Sequence, residues 1–212
     1  EEQAKAAVQL IDEGNTIPFI ARYRKEMTGA LNDETLRNLH ERLLYLRNLE
    51  EKKEQVINAI TDQGKMTEDL KKKILSAETL VAVDDLYRPY RPKKQTRATK
   101  AKEKGLEPLA NILLLQKTTK SMEEEAAAFV NAEKGVANAK EAIAGAKDII
   151  AEMIADMADY RKSIRNCTMK QGSLVVKAKD EKAASVYEMY YHHEEPVRKC
   201  AGHRILALNR GE

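Results

Sequence analysis

Residues 136–164, VANAKEAIAGAKDIIAEMIADMADYRKSI, place apolar or small side chains at Val136, Ala139, Ile143, Ala146, Ile150, Met153, Met157, Tyr160 and Ile164. The steps alternate between three and four, as one stripe of a helix requires. Sustained over four heptads, they predict one long helix near 137–166. Alanines alternating with larger groups suit the shallow crossing of a bundle. A bundle core is preferred here to an intermolecular coiled coil. After this helix, CTMKQGSLVVKA turns to β-favouring residues and predicts a small β-hairpin near 167–178, with KDEKAASVYEMYYHH returning to helix.

The remainder reads in the same helical grammar. Ala4, Ala7, Val8 and Ile11 recur at helical spacing, so residues 2–13 form a short amphipathic helix ended by Gly14. Pro18 suits the first turn of a second helix, PFIARYRKEM, which Thr28 and Gly29 stop. Asn32 or Asp33 caps a long helix to about Asp62, and Thr67 caps a shorter one through Leu75. A further piece covers 78–86. YRPYRPKK is an exposed connector, because the residue before each proline is pushed to extended conformation. Helix resumes after Thr96, breaks at Gly105 and restarts near Pro108, and Ser121 with Glu124 forms a capping box. The fold class is therefore mainly α, a multi-helix region with one small hairpin.

Composition agrees: 33% of the 212 residues are charged, there is no Trp, and only five prolines interrupt the chain. The longest aliphatic run, Ile112–Leu115, is far short of the roughly 20 residues that span a bilayer. No membrane partner is expected, and the acidic start EEQAKAAVQL has no signal-peptide character. Cys167 and Cys200 read as reduced thiols of a cytoplasmic protein. The chain starts without Met and stops in HRILALNRGE, an apolar run like an interrupted strand, so a piece of a longer protein is expected.

Charge is concentrated. Between Arg88 and Lys104 stand eight cations (Arg88, Arg91, Lys93, Lys94, Arg97, Lys100, Lys102, Lys104) and one acid, Glu103. That local +7 leaves the rest of a +3 chain at −4. A local basic segment favours a polyanion, although lysines ahead of Gly105 also favour a helix C-terminus electrostatically.

Catalytic signatures are missing from the pattern. His192, His193, Glu194 and Glu195 are adjacent, and neighbours on a helix do not face one another, so a metal site is not expected. Asp84 and Asp85 suit pairing with the basic stretch better than acid–base work. No GxxxxGK[ST] or GxGxxG supports nucleotide binding. The expectation is a non-enzyme with no cofactor, no metal and no small-molecule substrate.

GNTIPFIARYRKEMTGAL (14–31), VDDLYRPYRPKKQTRATKAKEKGLEPLA (83–110) and HRILALNRGE (203–212) together resemble the N-terminal region of the Tex family of bacterial transcription accessory proteins. The resemblance implies a helical N-terminal region over 1–131 with a helix-turn-helix-like element. A long helix, hairpin and further helices follow over 132–201, and 202–212 is the first strand of a truncated RNase-H-like (YqgF-type) domain. Helix-hairpin-helix repeats and an OB-fold RNA-binding domain follow in the family, whose RNase-H-like domain is generally taken to lack nuclease activity. The implied partners are nucleic acid, RNA or DNA, and transcription machinery. Arg88, Arg91, Lys93, Lys94 and Arg97 fall where the family is rich in Lys and Arg, with Gln95 and Val83 departing from its pattern. Adding Lys100 from the same window, and Arg22 and Arg24 from IARYRKEM, gives the candidate nucleic-acid-binding set. A helical protein-interaction scaffold is the alternative.

Overall fold

A computed structural model describes residues 1–210. Packing divides the chain into two compact units, residues 1–90 and 91–212.

In the first unit, α1 (Glu2–Asp12), α2 (Ile17–Tyr23) and α3 (Lys25–Thr28) precede the 30-residue α4 (Asp33–Asp62). At ~1.5 Å per residue α4 is about 45 Å long, enough to serve two cores. Its first half closes Leu36 over Ala7, Leu10 and Ile20. Its second half sets Leu49, Val56 and Ile60 against Ile74 and Val83 of α5 (Glu68–Leu75) and α6 (Leu80–Tyr87). Caps fix these helices in register. Asn32, Thr67 and Thr79 each accept from a backbone N–H three residues on, the N-cap geometry their side chains favour. Lys53 is only 8% exposed; its ammonium meets Glu50 at 2.7 Å and donates to the Leu75 carbonyl at 2.9 Å, closing the C-terminus of α5. The PFIARYRKEM helix is in fact two, because Arg24 (φ −129°, ψ 29°) breaks it.

The second unit holds α7 (Arg97–Glu103), α8 (Glu107–Leu115), α9 (Met122–Ala127), α10 (Ala139–Asp156), α11 (Ala158–Gln171) and α12 (Gly202–Asn209). Ala98, Ala101, Leu106, Leu109, Ala126, Ala142, Ile143, Ala146 and Ile149 form one core, so α10 packs directly on α7, α8 and α9. The expected capping box is present: Ser121 accepts from Glu124 N and the Glu124 carboxylate accepts from Ser121 N.

Four further expectations need correction. The helix near 137–166 is two helices, broken at Met157, whose ψ of 118° is extended. Arg161 donates to the freed Ala155 carbonyl, and Asp159 lies in the positive first turn of α11. The apolar stripe passes through the break unaltered, which is why periodicity misses it. The hairpin near 167–178 is also displaced: β1 (Ser173–Lys177) pairs antiparallel with β2 (His192–Pro196), Leu174 opposite Glu195 and Val176 opposite His193. Between them the expected helix is reduced to a single 3-10 turn, Glu188–Tyr190. The backbone donors and acceptors of β1 require a partner strand, and that requirement outweighs the weak helical propensity of the following residues. Finally, the segment expected as a strand over 202–212 is helix from Gly202 to Asn209, with Gly211 and Glu212 outside the described residues. It belongs to no sheet, and as a helix it satisfies its own backbone. Arg204 ties α12 to β2 by a two-point contact with Glu195 at 2.8 and 2.9 Å.

Where α10 packs on α7 and on Leu106 at the start of α8, Gly145 leaves no room for a side chain. A Cβ added at Gly145 would overlap Leu106 Cδ1 and lie 3.2 Å from Ala101 Cβ, and Leu106 is fully buried. Gly145→Val should therefore lower stability by about 1–3 kcal/mol through overpacking, although valine is the better helix former. The urea midpoint of the variant checks this.

Candidate nucleic-acid interface

The eight candidate cations divide between the units. Arg22, Arg24 and Arg88 belong to the first, and Arg91, Lys93, Lys94, Arg97 and Lys100 to the second.

Within the second unit the connector before α7 is pinned down. Lys93 reaches α10, where Nζ lies 3.0 Å from Glu152 Oε1 and also bonds Asp156, whose side chain is mostly buried. Thr96 does two jobs: Oγ1 accepts from Thr99 N at 3.0 Å to cap α7 and donates to Glu152 Oε2 at 2.8 Å. Burial opposes the charge on Lys93, but hydrogen bonds to Asp156 and Glu152 outweigh it and hold the ammonium above its ordinary range. Burial likewise works against ionised Glu152, and the bonds from Lys93 and Thr96 prevail, drawing its carboxyl below the usual glutamate value. The charge of Lys93 is thus met by two carboxylates of its own chain.

What the anchor presents is α7. Arg97 is 88% exposed, with a loose 3.8 Å approach to Asp148, and Lys94 and Lys100 are exposed. Arg97, Lys100 and Lys104 stand at i, i+3 and i+7, which places them on one helix face. With Gly145 and Asp148 of α10 they line a shallow depression of about 260 Å³. Lys104 donates to the Gly135 carbonyl at 2.7 Å; read from sequence as a helix-end lysine, it joins this face as well. Arg88 and Arg91 are exposed and each has a partner within the chain.

In the first unit, Arg24 lies 5.2 Å from the Phe19 ring centroid and Arg22 lies 6.0 Å from that of Tyr23. The two rings are 5.3 Å apart and tilted by 46°. Phe19 is not singled out by the sequence reading, which weighs Tyr23 only as a structural residue beside Arg22; the available signal was their i, i+4 spacing astride Arg22.

The remaining candidates resolve as structure. Asp84 approaches Lys52 at 3.7 Å, and Asp85 is buried with a partner in the chain. His192–Glu195 alternate across β2, and among the described residues no group of three potential metal ligands converges. A hydrogen bond to Glu195 holds the Cys200 thiol above its usual value, the reverse of what a nucleophile needs. No described helix is long and apolar enough to cross a membrane.

The chain is thus a helical region that displays one basic helix and neutralises part of its basic connector internally. Residues 1–61 match the Tex-like protein N-terminal domain, and residues 117–212 match the Tex central region. The chain belongs to the Tex-like family. It is 42% identical to the transcriptional accessory protein Tex of Neisseria gonorrhoeae, covering 99% of this chain and 28% of that protein. It is 45% identical to the protein tex of Bordetella pertussis, covering 99% and 26%. The human S1 RNA-binding domain-containing protein 1 is 34% identical over 97% of this chain and 21% of its own length. The chain spans less than a third of the length of these relatives.

The Lys93 anchor sets a pH dependence. Glu152, with its folded value depressed, contributes stability above its ordinary 4.5 and loses it as pH falls through the folded value. Lys93, with its folded value raised, contributes fully below 10.5 and loses this only as pH rises beyond. Lys93→Met should therefore lower the urea midpoint at neutral pH and narrow the gap between neutral and acidic midpoints relative to wild type. Paired urea titrations above and below pH 4.5 measure both effects.

Proposed function

We propose that this chain is a non-catalytic, cytoplasmic, nucleic-acid-associated module of transcription, meeting the phosphate backbone of RNA or DNA through Lys94, Arg97 and Lys100. Arg88, Arg91, Lys104, Arg22 and Arg24 add to its positive surface, and Lys93 serves as the anchor that holds the connector. The observation that carries this reading is the exposed basic face of α7, part of an Arg88–Lys104 segment outside which the chain is net negative. Similarity to a transcriptional accessory protein and to an S1 RNA-binding domain-containing protein supports it. The mechanism is electrostatic: each cation that neutralises a phosphate releases condensed counterions. No set of side chains suited to reading base edges accompanies the face, so phosphate positioning dominates and sequence preference is weak.

A second reading, a helical scaffold for transcription machinery, is favoured by α11, which buries no residue and leaves Tyr160 and Ile164 exposed, as is Met157 just before it.

Fluorescence anisotropy of the 212-residue chain with short RNA and DNA across a salt series separates the two. The expected slope of log affinity against log salt is about −3 to −5, from several contacts at roughly −0.7 to −0.9 each. Replacing Lys94, Arg97 and Lys100 by Gln should make it shallower by about 2 to 3. An unchanged slope in a folded triple variant would leave the scaffold reading in possession.

A further inference from the structure

The cluster on α2 and α3 has a different chemistry. Over residues 17–25, IPFIARYRK, there are three cations and no acid. Phe19 and Tyr23 are 36% and 56% exposed above fully buried Ile20. Their arrangement is held from below and beside. The helix break at Arg24 turns that side chain back over Phe19, Nη1 donates to the Tyr23 carbonyl at 3.3 Å, and the Thr28 hydroxyl donates to the Arg24 carbonyl at 3.1 Å. Two other arginines of the unit meet carboxylates, Arg47 with Asp12 at 2.8 Å and Arg37 with Asp33 at 2.6 Å, whereas Arg42 stands 5.1 Å from the Tyr45 ring centroid. Among the described residues Arg22 and Arg24 meet none; they stand beside aromatic faces instead.

We propose that Phe19, Tyr23, Arg22 and Arg24 form a stacking site for unpaired bases of a single-stranded nucleic acid. Aromatic faces and guanidinium planes accept a base without reading its identity. The uncompensated guanidinium charge draws the adjoining phosphates. A duplex, whose bases are already stacked, presents only its backbone. The pair of rings sets the size at one or two bases. An apolar protein segment could use the rings but gains nothing from two unpaired cations beside them. The proposal extends the preceding reading to a separate unit and does not depend on the α7 face.

The test uses anisotropy with a single-stranded oligothymidylate, the same length of abasic strand and a matched duplex. Phe19→Leu with Tyr23→Leu keeps apolar bulk and removes the rings. Loss of one stacked base should weaken binding to the base-bearing strand roughly tenfold, with little change for the abasic strand or the duplex and an unaltered salt slope. The Lys94, Arg97 and Lys100 triple variant changes the slope instead, so the two sites fail separately. Since the chain has no Trp, Phe19→Trp adds a direct reporter that retains a ring. Its fluorescence should be quenched by the base-bearing strand and not by the abasic one. Equal weakening on all three ligands, unchanged affinity in the folded Leu variant, or an unquenched indole in the Phe19→Trp variant under saturating strand would each overturn the proposal.

Discussion

The second unit depends on how closely α10 can approach α7 and α8. At Gly145 there is no side chain to hold them apart, and Leu106 and Ala101 occupy the space a Cβ would need. This contact brings Glu152 and Asp156, two and three turns further along α10, within reach of Lys93 and Thr96. Packing therefore decides the electrostatics. A carboxylate pair on α10 is the counterpart of one connector lysine only because the backbones are close, and the direction in which α7 points its remaining cations follows from that anchorage.

Much of the helical architecture was legible because its signals are local. Asn32, Thr67, Thr96 and Ser121 bond to the first turns of the helices they were expected to start. Positive φ at Gly64 and Gly105 ends two helices where a residue with a Cβ would be strained. The misreadings share one origin: periodicity reports which side chains would share a face, not whether the backbone is continuous or whether that face is covered. Met157 keeps its place in the heptad stripe while its ψ leaves the helix. Along the same stripe Ile143 and Ala146 are buried, whereas Tyr160 and Ile164 are exposed. Pairing of Ser173–Lys177 with residues nearly twenty positions later is nonlocal information, and a segment as polar as HHEEP carries little strand propensity to announce it.

For the candidate interface, counting charge located the region but could not distinguish its members. Lys93 and Lys94 are adjacent and chemically identical; one is met by two carboxylates from a helix some sixty residues away and the other is exposed. Formal charge is a property of composition, and available charge is a property of the fold. The same limit explains Phe19 and Tyr23, which look like ordinary core aromatics until the break at Arg24 sets a guanidinium over one of them.

Helix α11 has a thermodynamic consequence of its own. Its fourteen residues carry backbone hydrogen bonds but contribute no buried side chain, and an isolated helix of that length is marginal in water. Its opening free energy is consequently decoupled from that of α10, whose Ala142, Ala146 and Ile149 lie in the core. In native-state hydrogen exchange the two helices should therefore fall into different cooperative units, α11 opening by local fraying and α10 nearer the global limit. The short break at Met157 is thus the boundary between an element whose order is set by the core and one whose order is set by its own backbone.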